Sequence, residues 1–147
     1  MTQIEGILFY SDFNCPFCFA LNERILLMGD SSKYQWRGIQ HMPATSSASP
    51  SLVDQTELLN EVSVVRKRAS EVSIATPKFR PNTRLANELF FKLKNATRPQ
   101  REELRSLIYR AYWQEGLDIS AAETLAPLCE SVGLDFPEHE IDAKSLK

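Results

Sequence analysis

Two cysteines three apart, Cys15 and Cys18, stand between an apolar run, Ile7-Leu8-Phe9-Tyr10, and a helical pattern from Phe19 to Met28. No other stretch restricts the fold as strongly. A Cys-x-x-Cys that follows a strand and opens a helix belongs to a βαβ context, where the pair reads as redox-active rather than metal-binding. The N–H groups of the first helical turn have no intrahelical acceptor, so they and the helix dipole stabilise a thiolate placed there. The pKa of such a cysteine falls, and it becomes a nucleophile near neutral pH. Pro16 suits the first helical position, where its missing N–H costs nothing and its φ is already helical. Cys15 is therefore expected at the cap and exposed, with Asn14 and Pro16 forming the helix start. Cys18 follows nearly one turn later on the same side, within reach of a disulfide.

Half of a zinc site would show the same spacing. Zinc takes about four ligands, and the other candidates, Cys129, His41 and His139, form no second Cys-x-x-Cys and no His-x-x-x-His pair. No metal is expected; an inert buried pair is the other alternative. Cys129, surrounded by Leu125, Leu128 and Val132, reads as the lining of a helix's apolar face. The length of 147 residues suffices for one domain with its own core. A formal net charge of −2 gives no electrostatic case for nucleic acid or an anionic membrane. No apolar run approaches the ~20 residues of a spanning helix, and the first residues have neither a basic nor an apolar signal-like region. The expected location is the cytoplasm, where a cysteine pair cycles more readily than it staples.

In chain order, residues 6–13 read as a strand buried on both faces, because their apolar run is nearly continuous. A helix follows from Pro16 to Met28 and ends at Gly29. Residues 34–40 alternate as a second strand, which makes a βαβ unit with parallel strands. The Ser/Pro-rich stretch from His41 to Pro50 reads as a surface loop. Four helices are then expected: about Leu52 to Val72, with Arg66, Lys67 and Arg68 as a solvated face; one capped by Asn82, with Leu85, Leu89 and Leu93 inward; one capped by Thr97; and 121–132, capped by Ser120 with Glu123 completing a capping box. Residues 135–147 carry no strong element. The domain reading is 1–50 for the β-α-β unit with the cysteine motif, 51–134 for the helical part and 135–147 for a tail.

Three segments in this order carry a resemblance: Phe13-Asn14-Cys15-Pro16-Phe17-Cys18, Pro81-Asn82-Thr83-Arg84-Leu85-Ala86, and Arg110 through Ile119. Together they resemble the DsbA-like thioredoxin superfamily. The nearest branch is the FrnE-type dithiol oxidoreductases, related to 2-hydroxychromene-2-carboxylate isomerases and kappa-class glutathione transferases. The resemblance implies an α/β fold: a thioredoxin-like β-α-β half followed by a four-helix insert, predominantly helical, with an incomplete sheet. It implies thiol–disulfide oxidoreductase or isomerase activity, with Cys15 attacking and Cys18 resolving. Glutathione-dependent transferase or isomerase chemistry is the alternative, as is a non-enzymatic thioredoxin-like binding or dimerisation module. No cofactor is implied, beyond glutathione as a thiol substrate. Phe17 and, with weaker support, His41 and Asn82 are candidates for substrate contact.

Family members return after the insert to a strand pair, a cis-proline loop and a final helix. Here the prolines after the insert pattern, Pro127 and Pro137, lie in a helix pattern and an acidic stretch, and neither precedes a Thr and a strand run. A two-stranded sheet leaves an edge that would normally pair. The expected partners are therefore thiol or disulfide substrates, together with a second copy as a homodimer or a missing C-terminal half.

Overall fold

The computed structural model describes residues 6–41 and 52–138. It is a mostly helical α/β arrangement of two parallel strands and five helices, so the sheet among the described residues is incomplete. β1 (Ile7–Ser11) leads into α1 (Pro16–Met28). A short 3₁₀ turn then precedes β2 (Tyr34–Gly38). The strands pair in register from Ile7 opposite Tyr34 to Ser11 opposite Gly38. Then come α2 (Leu52–Arg68), α3 (Arg84–Lys92), α4 (Arg98–Trp113) and α5 (Ala122–Ser131). The loop expected from His41 to Pro50 lies, beyond His41 itself, outside the described residues, like most of the tail.

The elements begin and end for local reasons. Gly29 closes α1 in the left-handed region at φ 71°, its N–H returning to carbonyls of the last turn. Thr97 caps α4 through a full capping box with Gln100. Two caps differ from expectation. Ser120 does not cap α5; Ala121 occupies that position without a side-chain bond. The Ser120 hydroxyl instead donates to Asp118 Oδ1 at 2.6 Å, and the Ser120 N–H donates to the same oxygen at 3.0 Å. Asp118, by turning the chain just before the helix, takes the hydroxyl that a capping box needs as an acceptor. At α3 the residue preceding the first turn is Thr83, yet Asn82 Oδ1 accepts the Arg84 N–H at 2.9 Å, so Asn82 does help satisfy that end. α2 stops at Arg68, short of Val72.

One hydrophobic core spans the β-α-β segment and the helices. Phe13 and Phe19 meet Tyr109 and Trp113 of α4, and Trp36 of β2 meets Phe90 of α3 at a ring separation of 4.9 Å. The polar edges of these rings are satisfied: Trp113 Nε1 donates to the Phe13 carbonyl at 2.8 Å, and both the Tyr109 hydroxyl and Trp36 Nε1 donate to Ser11 Oγ. α1 is fixed to α4 by Asn22 on Ser106 and by a bidentate Arg110–Glu23 pair. Cys129 is fully buried in this core, and burial pushes its thiol up to about 11.

β1 is not buried on both faces. Ile7 and Tyr10 are more than half exposed, and Leu8 is exposed as well. The reason is topological: among the described residues β1 has β2 on one side and no strand on the other, so its apolar run exceeds what the described elements cover.

Candidate functional site

The motif sits where β1 delivers the chain to the start of α1. Cys15 is the N-cap residue, with extended backbone angles (φ −104°, ψ 116°), and Pro16 is in the first turn. Cys15 Sγ accepts the Cys18 N–H at 3.4 Å, so the sulfur occupies the position of a capping oxygen. Both cysteines are free thiols and half-buried, rather than Cys15 lying open. Their environments drive them apart. The Cys15 thiol is pulled from an ordinary 9.0 down to about 6, first by a hydrogen bond from the Cys18 thiol. Burial opposes this, while the backbone N–H groups of Cys18 and Phe17 and the field of His41 add to it. Cys18 is pushed far upward, first because its proton is held by Cys15 and then by burial. The pair thus combines a ready thiolate with a reluctant thiol.

The surroundings hold this geometry. Asn14, fully buried, donates through Nδ2 to the Pro81 carbonyl at 3.1 Å, and its own carbonyl accepts from Arg80 Nη1 at 2.7 Å. Arg80 is itself buried and pairs with Glu61 of α2 at 2.8 Å. The 80–82 segment is thereby tied to the motif from the helical side. Asn82 stands next to it and accepts from Gln40 Nε2 at 2.8 Å.

Asp12 is the group that sequence reasoning missed. It is 2% exposed, its carbonyl accepts the Cys15 N–H at 3.2 Å, and its Oδ2 accepts both the backbone N–H of His41 at 2.9 Å and His41 Nδ1 at 2.6 Å. A carboxylate accepts only, so Nδ1 carries the proton and Nε2 points away. Its other oxygen, Oδ1, is buried and has no hydrogen-bond partner among the described residues. An acid placed directly after an apolar strand and three residues before the first cysteine was the signal available. His41, read as a loop residue, is brought to the motif by this carboxylate. Phe17 is about half exposed beside the thiols, whereas Phe19 is wholly core. Among the described residues no group of three or more His, Cys, Asp or Glu could hold a metal ion, and no helix is long and apolar enough to cross a membrane.

A family profile for the DSBA-like thioredoxin domain matches residues 6–145. The uncharacterized protein YwbO of Bacillus subtilis (strain 168) is 28% identical over 134 residues, which are 86% of this chain and 65% of that protein. The chain therefore spans about two thirds of the length of this curated relative. Among solved structures, a 2-hydroxychromene-2-carboxylate isomerase superposes with a TM-score of 0.69 at 21% identity, covering 94% of this chain and 72% of the other. A probable DsbA oxidoreductase from Streptomyces coelicolor superposes with a TM-score of 0.60 at 20% identity, covering 89% and 64%. At these identities the two structures speak for the fold.

Proposed function

The chain belongs to the DSBA-like thioredoxin domain family, and from that premise we propose that it is a thiol–disulfide oxidoreductase working through Cys15 and Cys18. The observation that carries this reading is the Cys15 sulfur at the helix cap, accepting the Cys18 N–H and lowered to about 6. The Cys15 thiolate attacks one sulfur of a substrate disulfide; a mixed disulfide forms and one substrate thiolate leaves. Cys18 then loses its proton and attacks Cys15, which gives the Cys15–Cys18 disulfide and frees the second substrate thiolate. Two electrons pass to the substrate, and the reverse sequence oxidises a dithiol. Cys18 needs a proton acceptor for its step, and the buried carboxylate of Asp12, backed by the half-exposed His41, lies at the motif to serve as one. Phe17 supplies an apolar contact for the substrate chain.

Among the described residues one edge of β1 is unpaired and Ile7, Leu8 and Tyr10 are exposed, which calls for covering polypeptide. A second copy or a further segment of chain fits that role, and sedimentation of the protein alone at several concentrations distinguishes self-association from its absence. The activity is tested by insulin reduction or by rescue of a scrambled disulfide protein. Wild type should turn over and Cys15→Ser should not; equal rates for the two would remove the enzyme reading.

A further inference from the structure

A second site lies away from the thiols, along β2. A cleft of about 470 Å³ runs from Tyr34 to Gly38 and is walled by α3 and α4. That volume is in the range of small-ligand pockets. Trp36 and Phe90 give it an aromatic surface and Phe91 an exposed apolar rim. Both ends are shut. At one, Arg98 donates to the carbonyls of Ser31 and Tyr34 and pairs with Glu102. At the other, Gly38 is packed so closely that a Cβ there would come within 2.6 Å of Asn87 Oδ1 and 2.8 Å of Trp36.

Positive charge in the cleft exceeds the negative charge that faces it among the described residues. Arg37, Arg98, Arg101 and Arg105 line the cleft against one carboxylate, Glu102, which Arg98 already holds. Arg101 is spent on the carbonyls of Phe90 and Leu93 at the end of α3. Arg105 lies 5.5 Å from the centre of the Trp36 ring and uses Nε on Asn22 Oδ1, with no carboxylate of the described residues on its two terminal nitrogens. Burial lowers it from its ordinary value, against the opposing pull of Tyr109 and Glu102.

We propose that this cleft binds a small ligand that combines a carboxylate, for the terminal nitrogens of Arg105, with an apolar or aromatic body that lies against Trp36. N-acyl amino acids and acidic dipeptides have this chemistry. This site goes beyond the disulfide chemistry and does not depend on it.

The probe is N-acetyl-Phe-Glu, followed by quenching of the fluorescence of Trp36; the only other tryptophan, Trp113, is fully buried. Saturable binding below about 1 mM is expected, and it should be the same in the Cys15→Ser variant. Arg105→Gln should weaken it about tenfold or more, as loss of a charge-assisted bond does, while Arg105→Lys recovers part of the loss. N-acetyl-Phe-Lys-amide should not compete, and this reversal of charge on the ligand needs no variant to fold. No saturable binding, equal affinity for the basic peptide, or full affinity in a folded Arg105→Gln protein would each overturn the assignment.

Discussion

The lowered Cys15 pKa makes a prediction that can be worked to a number. At about 6, roughly nine-tenths of Cys15 is thiolate at pH 7, against about one-hundredth at the ordinary 9.0, a gain of about 90-fold. A less basic thiolate is a poorer nucleophile, and a Brønsted slope of ~0.4–0.5 over three pH units takes back about 16- to 32-fold. The net advantage in attacking a small disulfide is then about three- to sixfold at pH 7, growing to about 30- to 60-fold at pH 5. The perturbation that tests its cause is at Cys18, whose thiol donates the largest stabilising bond. Cys18→Ser retains a donor and Cys18→Ala does not. A hydrogen bond to a charged group is worth ~1.5–3 kcal/mol, or about one to two pH units. Reaction with 2,2′-dithiodipyridine, followed by absorbance across pH, should inflect near 6 in Cys18→Ser and about one to two units higher in Cys18→Ala. Cys129 interferes little, being buried with its thiol pushed to about 11. An inflection near ~8.5 in Cys18→Ser, or the same inflection in both variants, would refute the reasoning.

Four further outcomes are expected. The reduced protein should gain stability as pH rises from about 6 to 9, because folding depresses the Cys15 pKa and so the unfolded chain holds a proton there that the native state has released; the Cys15–Cys18 disulfide form should lack this slope, which a series of melting curves would show. Asp12→Asn should slow attack by Cys18 while leaving the first attack largely intact, so that mixed disulfide accumulates in a quenched time course. Arg80→Met should cost about 2–3 kcal/mol in denaturant unfolding, because it strips the Asn14 carbonyl and Glu61 of a buried charged donor. Phe17→Ala should raise the KM for a disulfide peptide without moving the Cys15 pH profile.

The parts of this fold that were legible in the sequence are those fixed by local chemistry. α1 was readable from end to end because Pro16 and Gly29 mark its limits and the cysteines its cap. α4 was readable because Thr97 and Pro99 open it and an apolar stripe through Leu104, Ile108 and Ala111 runs into the core. Ser120 misled because a capping box is a pattern of two residues, while the outcome was decided by a third, Asp118, which drew the hydroxyl away. The apolar run of β1 indicated a strand correctly but not its burial, since burial depends on which neighbours lie alongside. At the site, the cysteines and their order along the helix were plain. Asp12, Arg80 and the recruitment of His41 were not, because they act over separations of 29 to 66 residues that only the folded chain closes.

The claim at the centre of this account is that Cys15 alone makes the first attack and Cys18 resolves it. The most direct measurement is intact mass after incubation with a disulfide-linked peptide. Cys18→Ala should trap one peptide strand on Cys15, wild type should pass through that adduct to the internal disulfide, and Cys15→Ser should trap none. An adduct on Cys18 in the Cys15→Ser protein at a comparable rate, or no adduct on Cys15 in Cys18→Ala, would contradict it.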